Sequence, residues 1–349
     1  MDVFLMILCI IAGVVMLIIG ADMFVDGASG IAGKLRVSAF VIGMTIVAFG
    51  TSAPELAVSF KSVISGSGDI AMGNVVGSNI INILLILGIS SLIRNLGVEK
   101  KTAMLEIPFL CVVTAVLFLL AEIITPMEVS HIEGLIFVLL FGAYIAYMVV
   151  GAVKQRKKEK LLASPDDGVP HTEISEAEKA EPPRIKRGIL GAYDRMQDKV
   201  WFLIVITLVG LAFVVLGADL VVNNVEKLTE LIPNDNARKI LSVTVVALGT
   251  SLPELVTSVV AAVKGNTDLA LGNIIGSNIM NILLILGLPA LIFGIPYPSS
   301  FFVDILVSLG AGALLLVCVG IGKGKRINKV GGALMLVGLV GYLVYLFLS

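Results

Sequence analysis

The sequence predicts an all-α integral membrane protein, with ten transmembrane helices arranged as two inverted five-helix repeats. Three observations carry that prediction. The 349-residue chain is 57% hydrophobic and only 15% charged, with a mean hydropathy of +1.02, whereas a water-soluble domain carries roughly a quarter charged residues. The apolar runs are about 20 residues long, the length that crosses a hydrocarbon core of roughly 30 Å. Two polar motifs recur within those runs at one constant separation.

The runs fall near 3–28, 37–62, 69–93, 103–125, 131–152, 200–222, 239–263, 268–293, 299–321 and 329–348. They are read as helices because unpaired backbone groups cannot face lipid. Strands of a transmembrane barrel would alternate apolar and polar residues, and these runs do not. The first run starts without a basic segment and continues into Gly20-Ala21-Asp22 with no small-residue cleavage site, so it reads as a retained helix.

Basic residues set the expected orientation. With the N-terminus outside, 21 of the 25 lysines and arginines lie on the inner side. They include Lys34, Arg36, Arg94, Lys100, Lys101, Lys264, Lys325 and Arg326, while Lys61, Lys227, Arg238 and Lys239 remain outside. Both termini are therefore expected outside, in the plasma membrane. Residues 153–199 open on Lys154-Gln155-Arg156-Lys157-Lys158 and are rich in Glu and Pro. They are expected to form a flexible cytoplasmic linker whose basic ends rest against anionic headgroups. The halves are then 1–152 and 200–349.

The repeat is explicit. Thr45-Ile46-Val47-Ala48-Phe49-Gly50-Thr51-Ser52-Ala53-Pro54-Glu55-Leu56 is answered by Thr244-Val245-Val246-Ala247-Leu248-Gly249-Thr250-Ser251-Leu252-Pro253-Glu254-Leu255. Gly73-Asn74-Val75-Val76-Gly77-Ser78-Asn79-Ile80-Ile81-Asn82 is answered by Gly272-Asn273-Ile274-Ile275-Gly276-Ser277-Asn278-Ile279-Met280-Asn281, again 199 residues on. Even the opening helices correspond, Gly20-Ala21-Asp22 to Gly217-Ala218-Asp219. An odd number of spans per half gives the halves opposite topology, the signature of an alternating-access transporter with its site at the midplane. Helix packing alone would require repeated small residues, not a repeated acid.

That acid is Glu55 in the first half and Glu254 in the second, each near mid-span. A carboxylate at the bilayer centre costs about 2.5–3.5 kcal/mol on insertion scales, and no Lys or Arg neighbours either in sequence. The bland alternative is a protonated glutamate buried in a helix interface. Helical spacing puts Thr51, Glu55 and Ser59 on one face, as it does Thr250, Glu254 and Ser258. Asn74, Ser78 and Asn82 form a matching stripe, with Asn273, Ser277 and Asn281 as its repeat. Pro54 and Pro253 should kink their helices and turn carbonyls near Gly50-Thr51 and Gly249-Thr250 toward the cavity; plain kinking and close packing is the rival explanation. Carboxylate, hydroxyl, amide and carbonyl are hard oxygen donors that suit Ca2+ and Na+, with Mg2+ a weaker fit. Two carboxylates give a charge of −2, which one Ca2+ or two Na+ would balance.

At these residues the sequence resembles the sodium/calcium exchanger family of cation/calcium antiporters in its compact prokaryotic form. The resemblance implies Ca2+ bound by Glu55 and Glu254 with the carbonyls of Thr51 and Thr250. It implies Na+ sites that add Ser52, Ser78, Ser251 and Ser277, with Asn82 at the central polar position. It also implies sliding of the first and sixth helices against a fixed core. Many relatives carry aspartate where this chain has Asn281, and that aspartate is tied to K+ co-transport, so the resemblance argues against K+ dependence. The large cytoplasmic Ca2+-sensing region of animal members has no counterpart in 153–199.

The remaining expectations are exclusions. Net charge of −1 implies no nucleic-acid partner. Cys9, Cys111 and Cys318 are scattered, and His131 and His171 are the only histidines, so neither a disulfide framework nor a zinc site is expected. No cofactor and no enzymatic activity are expected, since no nucleophile–base set lies in the motifs. H+- or K+-coupled exchange is the nearest alternative, and a cation channel lined by carboxylates is the reading from a different class. Asp22, Asp26, Asp219, Glu106, Glu122 and Asp304 lie toward span ends and receive no transport role.

Overall fold

The computed structural model describes residues 3–162, 199–229, 248–297, 301–321 and 325–348. Among the described residues, ten helical segments fall at the ten expected positions, the seventh only in its second part. They are α1 (Val3–Leu35), α2 (Ala39–Thr51 and Ala53–Ile64), α3 (Gly68–Ile93), α4 (102–124), α5 (His131–Leu162), α6 (Val200–Thr229), α7 (Leu252–Val263 with a preceding turn from 248), α8 (Thr267–Phe293), α9 (Phe301–Ile321) and α10 (Lys329–Leu348). Seven of these are individually long and apolar enough to cross a membrane, and the bent α2 makes an eighth. The protein is therefore a multi-pass membrane protein. The helices α1, α5 and α6, at 33, 32 and 30 residues, run past the expected spans. Residues 239–247 of the seventh expected span, with the motif residues Thr244 to Ala247, most of the linker, and Arg238 and Lys323 lie outside the described residues.

Burial shows which helices form the centre. The apolar windows of α3 and α8 are 67% and 83% buried, against 22% for α1 and 17% for α5. Peripheral helices instead present Phe4, Ile18, Leu139 and Leu208 outward, as a lipid-facing wall requires.

Four two-residue strands tie the halves together, β1 (Leu96–Gly97) to β4 (Arg326–Ile327) and β2 (Glu128–Val129) to β3 (Ile295–Pro296), both antiparallel. The first pair joins the α3–α4 and α9–α10 loops, and the second joins α4–α5 to α8–α9. If each helix crosses once, each pair links two loops on the same membrane face. Ten crossings satisfy that condition.

The helices α1 and α6 pack antiparallel through glycine. A Cβ at Gly13 would stand 2.8 Å from Gly217 O, and one at Gly217 would stand 2.8 Å from Gly13 O. Gly20 and Gly210 repeat the arrangement at 2.8 and 2.7 Å. Seven-residue spacing keeps these glycines on one face, so the two backbones touch along several turns.

Candidate cation site

The helix α2 breaks where the motif lies. Ser52 leaves helical geometry at φ −86°, ψ 10°, and the two legs meet at 46°. Its counterpart Ser251 has φ −88°, ψ 4°. Pro54 and Pro253 have no N–H to give the carbonyls of Gly50 and Gly249, so the break follows from the sequence, centred one residue beyond the expected Gly50-Thr51. After it, Leu56 N–H donates to Ser52 O at 3.1 Å and Leu255 N–H to Ser251 O at 3.0 Å. Each glutamate therefore sits in the first turn of a fresh helix.

The third and eighth helices carry a second matched distortion. Both switch to π-helical winding at the last motif asparagine, over Asn82–Leu87 and Asn281–Leu286. Such wide turns concentrate at functional sites, and here they start on the same residue of each repeat.

All ten sequence-expected site residues come from α2, α3, α7 and α8 and converge on one polar interior. Thr51, Ser52, Glu55, Ser78, Asn82, Ser251, Glu254, Ser277 and Asn281 are buried, each at most 1% exposed, and Thr250 is half-buried. Their hydrogen bonds run between repeats. Ser52 donates to Glu254 Oε1 at 2.8 Å and pairs with Ser277 Oγ at 3.0 Å. Ser251 pairs with Ser78 Oγ at 3.0 Å and bonds to Glu55. Thr51 donates to Asn273 Oδ1 at 3.2 Å, and Thr250 to Asn74 Oδ1 at 3.1 Å. Asn74 in turn donates to Ser59 Oγ at 2.9 Å, as Asn273 does to Ser258 Oγ at 3.0 Å.

Asn79 and Asn278, part of the repeated motif but not singled out from sequence, brace the centre. Each donates its amide to the other's backbone carbonyl at 3.2 Å. Their side-chain oxygens accept from Asn281 at 2.9 Å and from Asn82 at 2.8 Å. A residue meets its own repeat equivalent only near the axis relating the halves, so this pair marks that axis. The identical positions in the two motifs were the available signal.

Among the described residues, four acceptors in this interior have no donor: Glu55 Oε2, Glu254 Oε2, Asn82 Oδ1 and Asn281 Oδ1. They are two pairs related by the repeat. A buried unpaired acceptor carries the full desolvation penalty, about 1–3 kcal/mol and more for a charged group. All four are hard oxygen acceptors, and two of them belong to carboxyl groups.

Two inverted helical halves that each bury a glutamate in one common interior have the architecture of a secondary transporter. Comparison with known proteins gives the family. The sodium/calcium exchanger protein family matches residues 5–150 and 202–348, and the chain belongs to that family of antiporters. It is 36% identical to the putative antiporter CaxA of Alkalimonas amylolytica, over 97% of this chain and 98% of that protein. It is 35% identical to the sodium/calcium exchanger MaX1 of Methanosarcina acetivorans, over 97% and 98%. Its fold is similar to solved structures of the sodium-calcium exchanger NCX_Mj. One, soaked with 10 mM Na+ and 10 mM Sr2+, matches at a TM-score of 0.76 and 28% identity, covering 98% of this chain and 99% of that one.

Proposed function

We propose that this chain exchanges Na+ for Ca2+ across the plasma membrane by alternating access, with the ions held between Glu55 and Glu254. The observation that carries this reading is the set of four unpaired buried oxygens, one carboxylate and one amide from each half. Ca2+ takes six to eight oxygen ligands. The carboxylates supply the charge, Asn82 and Asn281 supply neutral oxygens, and the Thr51 and Thr250 carbonyls complete the set beside the helix breaks. Na+ would use the same glutamates with Ser52, Ser78, Ser251 and Ser277. Because the two ions share ligands, they compete, and competition for one site is what exchange requires. The relatives named sodium/calcium exchanger support this choice of ions.

Residues 1–152 and 200–349 act as the two halves, joined by a cytoplasmic linker over 153–199, with both termini outside. The basic residues on one side support that orientation. Uptake of 45Ca2+ into proteoliposomes under Na+, K+ and H+ gradients tests the function. Uptake driven by an outward Na+ gradient alone is expected. Uptake driven only by a pH gradient would move the protein to proton coupling, and large currents through single open events would make it a channel.

A further inference from the structure

We propose that Lys264 is a positioning residue that ties α1 to the core at one end of α7 and so biases the resting position of the α1–α6 pair. The inference rests on the alternating-access reading above. Lys264 caps the C-terminus of α7, ten residues beyond Glu254, or roughly 15 Å along the helix. Its ammonium stands 2.6 Å from Asp22 Oδ1 and 2.6 Å from Asp26 Oδ1, and donates to Asp22 O at 3.1 Å. Two residues on, Asn266 donates to Ser29 Oγ at 3.1 Å. Asp22, Asp26 and Ser29 lie at i, i+4 and i+7, one stripe along α1. One short turn of the core thus grips three positions of a helix that otherwise meets its partner α6 through glycine backbone.

Among the described residues the grip has no counterpart in the other half, although Asp219 answers Asp22 and the rest of the interior is duplicated. The repeat places Ser65 where Lys264 stands and Ser67 where Asn266 stands, and Asn223 corresponds to Asp26. Ser65 spends its hydroxyl on Lys61 O of its own helix, at 2.9 Å. A symmetric machine would favour neither of its two arrangements; a clamp at one end favours the arrangement in which it is closed. The spacing of Asp22 and Asp26 sharpens the point. Lys264 holds both at once, so a slide of α1 by one turn, about 5.4 Å, removes one carboxylate from reach. The side chains of Lys264, Asp22 and Asp26 are 24%, 56% and 35% exposed, so water screens the pairs. The bias is accordingly modest, a three- to tenfold change in population.

Removing the clamp should shift the two faces in opposite directions, because an apparent affinity scales with the fraction of protein open to that face. In proteoliposomes with ions added from one side at a time, Lys264→Met is expected to raise the half-saturating Ca2+ concentration at one face three- to tenfold and lower it at the other. Asp22→Asn with Asp26→Asn should reproduce this, and Lys264→Arg should restore wild-type values. Merely impaired folding would lower the maximal rate without opposed shifts. A second readout does not depend on transport. In a cysteine-free background, spin labels at Gly33 and Val263, both exposed, report the distance between α1 and the end of α7. Lys264→Met should broaden or displace that distribution, and Lys264→Arg should not. Unchanged half-saturation at both faces, a shift of the same sign at both, or an unaltered distance distribution would each overturn the proposal. Absence of Na+-driven flux in the unmodified protein would instead overturn the antiporter reading.

Discussion

The four-helix interior and the α1–α6 seam are both tightly packed, but by opposite means. In the interior, Ser, Thr and Asn side chains bond across the repeats at 2.8–3.2 Å. These bonds are directional, and a displacement of one ångström breaks several at once. In the seam, Gly13, Gly20, Gly210 and Gly217 bring backbones together through van der Waals contact, which varies smoothly as one helix moves along another. The contrast sets a polar interior fixed in register by hydrogen bonds against a helix seam held by backbone contact alone. Small interhelical residues without polar pairing are how membrane helices approach closely; polar pairing is what fixes register.

The interior has most to lose. Replacing Glu55 or Glu254 with Ala takes away the buried carboxyl group its repeat places in this interior, and Ca2+ transport should fall to background in either variant. Surface expression and the size-exclusion profile should stay normal, since each glutamate leaves one oxygen unpaired in the folded protein. Near-normal exchange by either variant, measured as Na+-driven 45Ca2+ uptake, would remove the shared site.

Next in size is the brace on the pseudo-axis. Asn79→Ala deletes the donor to Asn278 O and the acceptor of Asn281 Nδ2, orphaning two buried groups. At about 1–3 kcal/mol for each, the loss of stability should be roughly 2–6 kcal/mol, with Asn278→Ala close to it by symmetry. Thermal unfolding in detergent measures both. A pair of variants differing by more than twofold would show that the halves do not share this brace equally.

These residues divide what the sequence could show from what it could not. Helix positions were legible because the length of an apolar run reports directly on the membrane, and α2 to α5 and α8 to α10 begin within two residues of the expected starts. The chemistry was legible because duplication exposes it: an acid kept at 55 and 254 stands out against an apolar background. The choice of partners was not. Ser52 lies two residues before Pro54 in the chain yet bonds Glu254, and no periodicity within one helix encodes a contact between repeats. The π-turns at Asn82 and Asn281 were invisible for a related reason, since an i→i+5 turn has no composition of its own. Asp22 and Asp26 read as ordinary solvated span-end acids, and only the fold brings Lys264 to them.

The seam should respond to bulk rather than to polarity. A Cβ on Gly20 would stand 2.8 Å from Gly210 O and 2.8 Å from Val214 N, both backbone atoms that cannot rotate aside. Gly20→Val should therefore wedge α1 from α6 and slow exchange about tenfold, while equilibrium 45Ca2+ binding changes less than twofold. A disulfide between α1 and α2 should act more severely on the same step, stopping exchange with binding kept from one side. If Gly20→Val weakened binding as much as turnover, the seam and the interior would be one mechanical unit, and the contrast between them would fail.

The smallest effect expected is none at all, and it tests the interior's charge. Asn82 and Asn281 are neutral, each bonded through its amide to the opposite repeat with its oxygen left free. A third negative charge, of the kind that would help balance an extra monovalent ion, is therefore absent at both positions. Na+-driven Ca2+ uptake should proceed at the same rate, within error, whether K+ is present on both sides or replaced by choline. Asn281→Asp supplies the contrast: it adds a buried charge while keeping the side chain's size and one acceptor, but it loses the amide that donates to Asn79 Oδ1. That variant should lower the maximal rate, and any K+ stimulation should appear only in it. A K+ requirement in the unmodified chain would mean that neutral amide oxygens suffice for K+, and the balance of charge at Glu55 and Glu254 would no longer limit which ions the interior accepts.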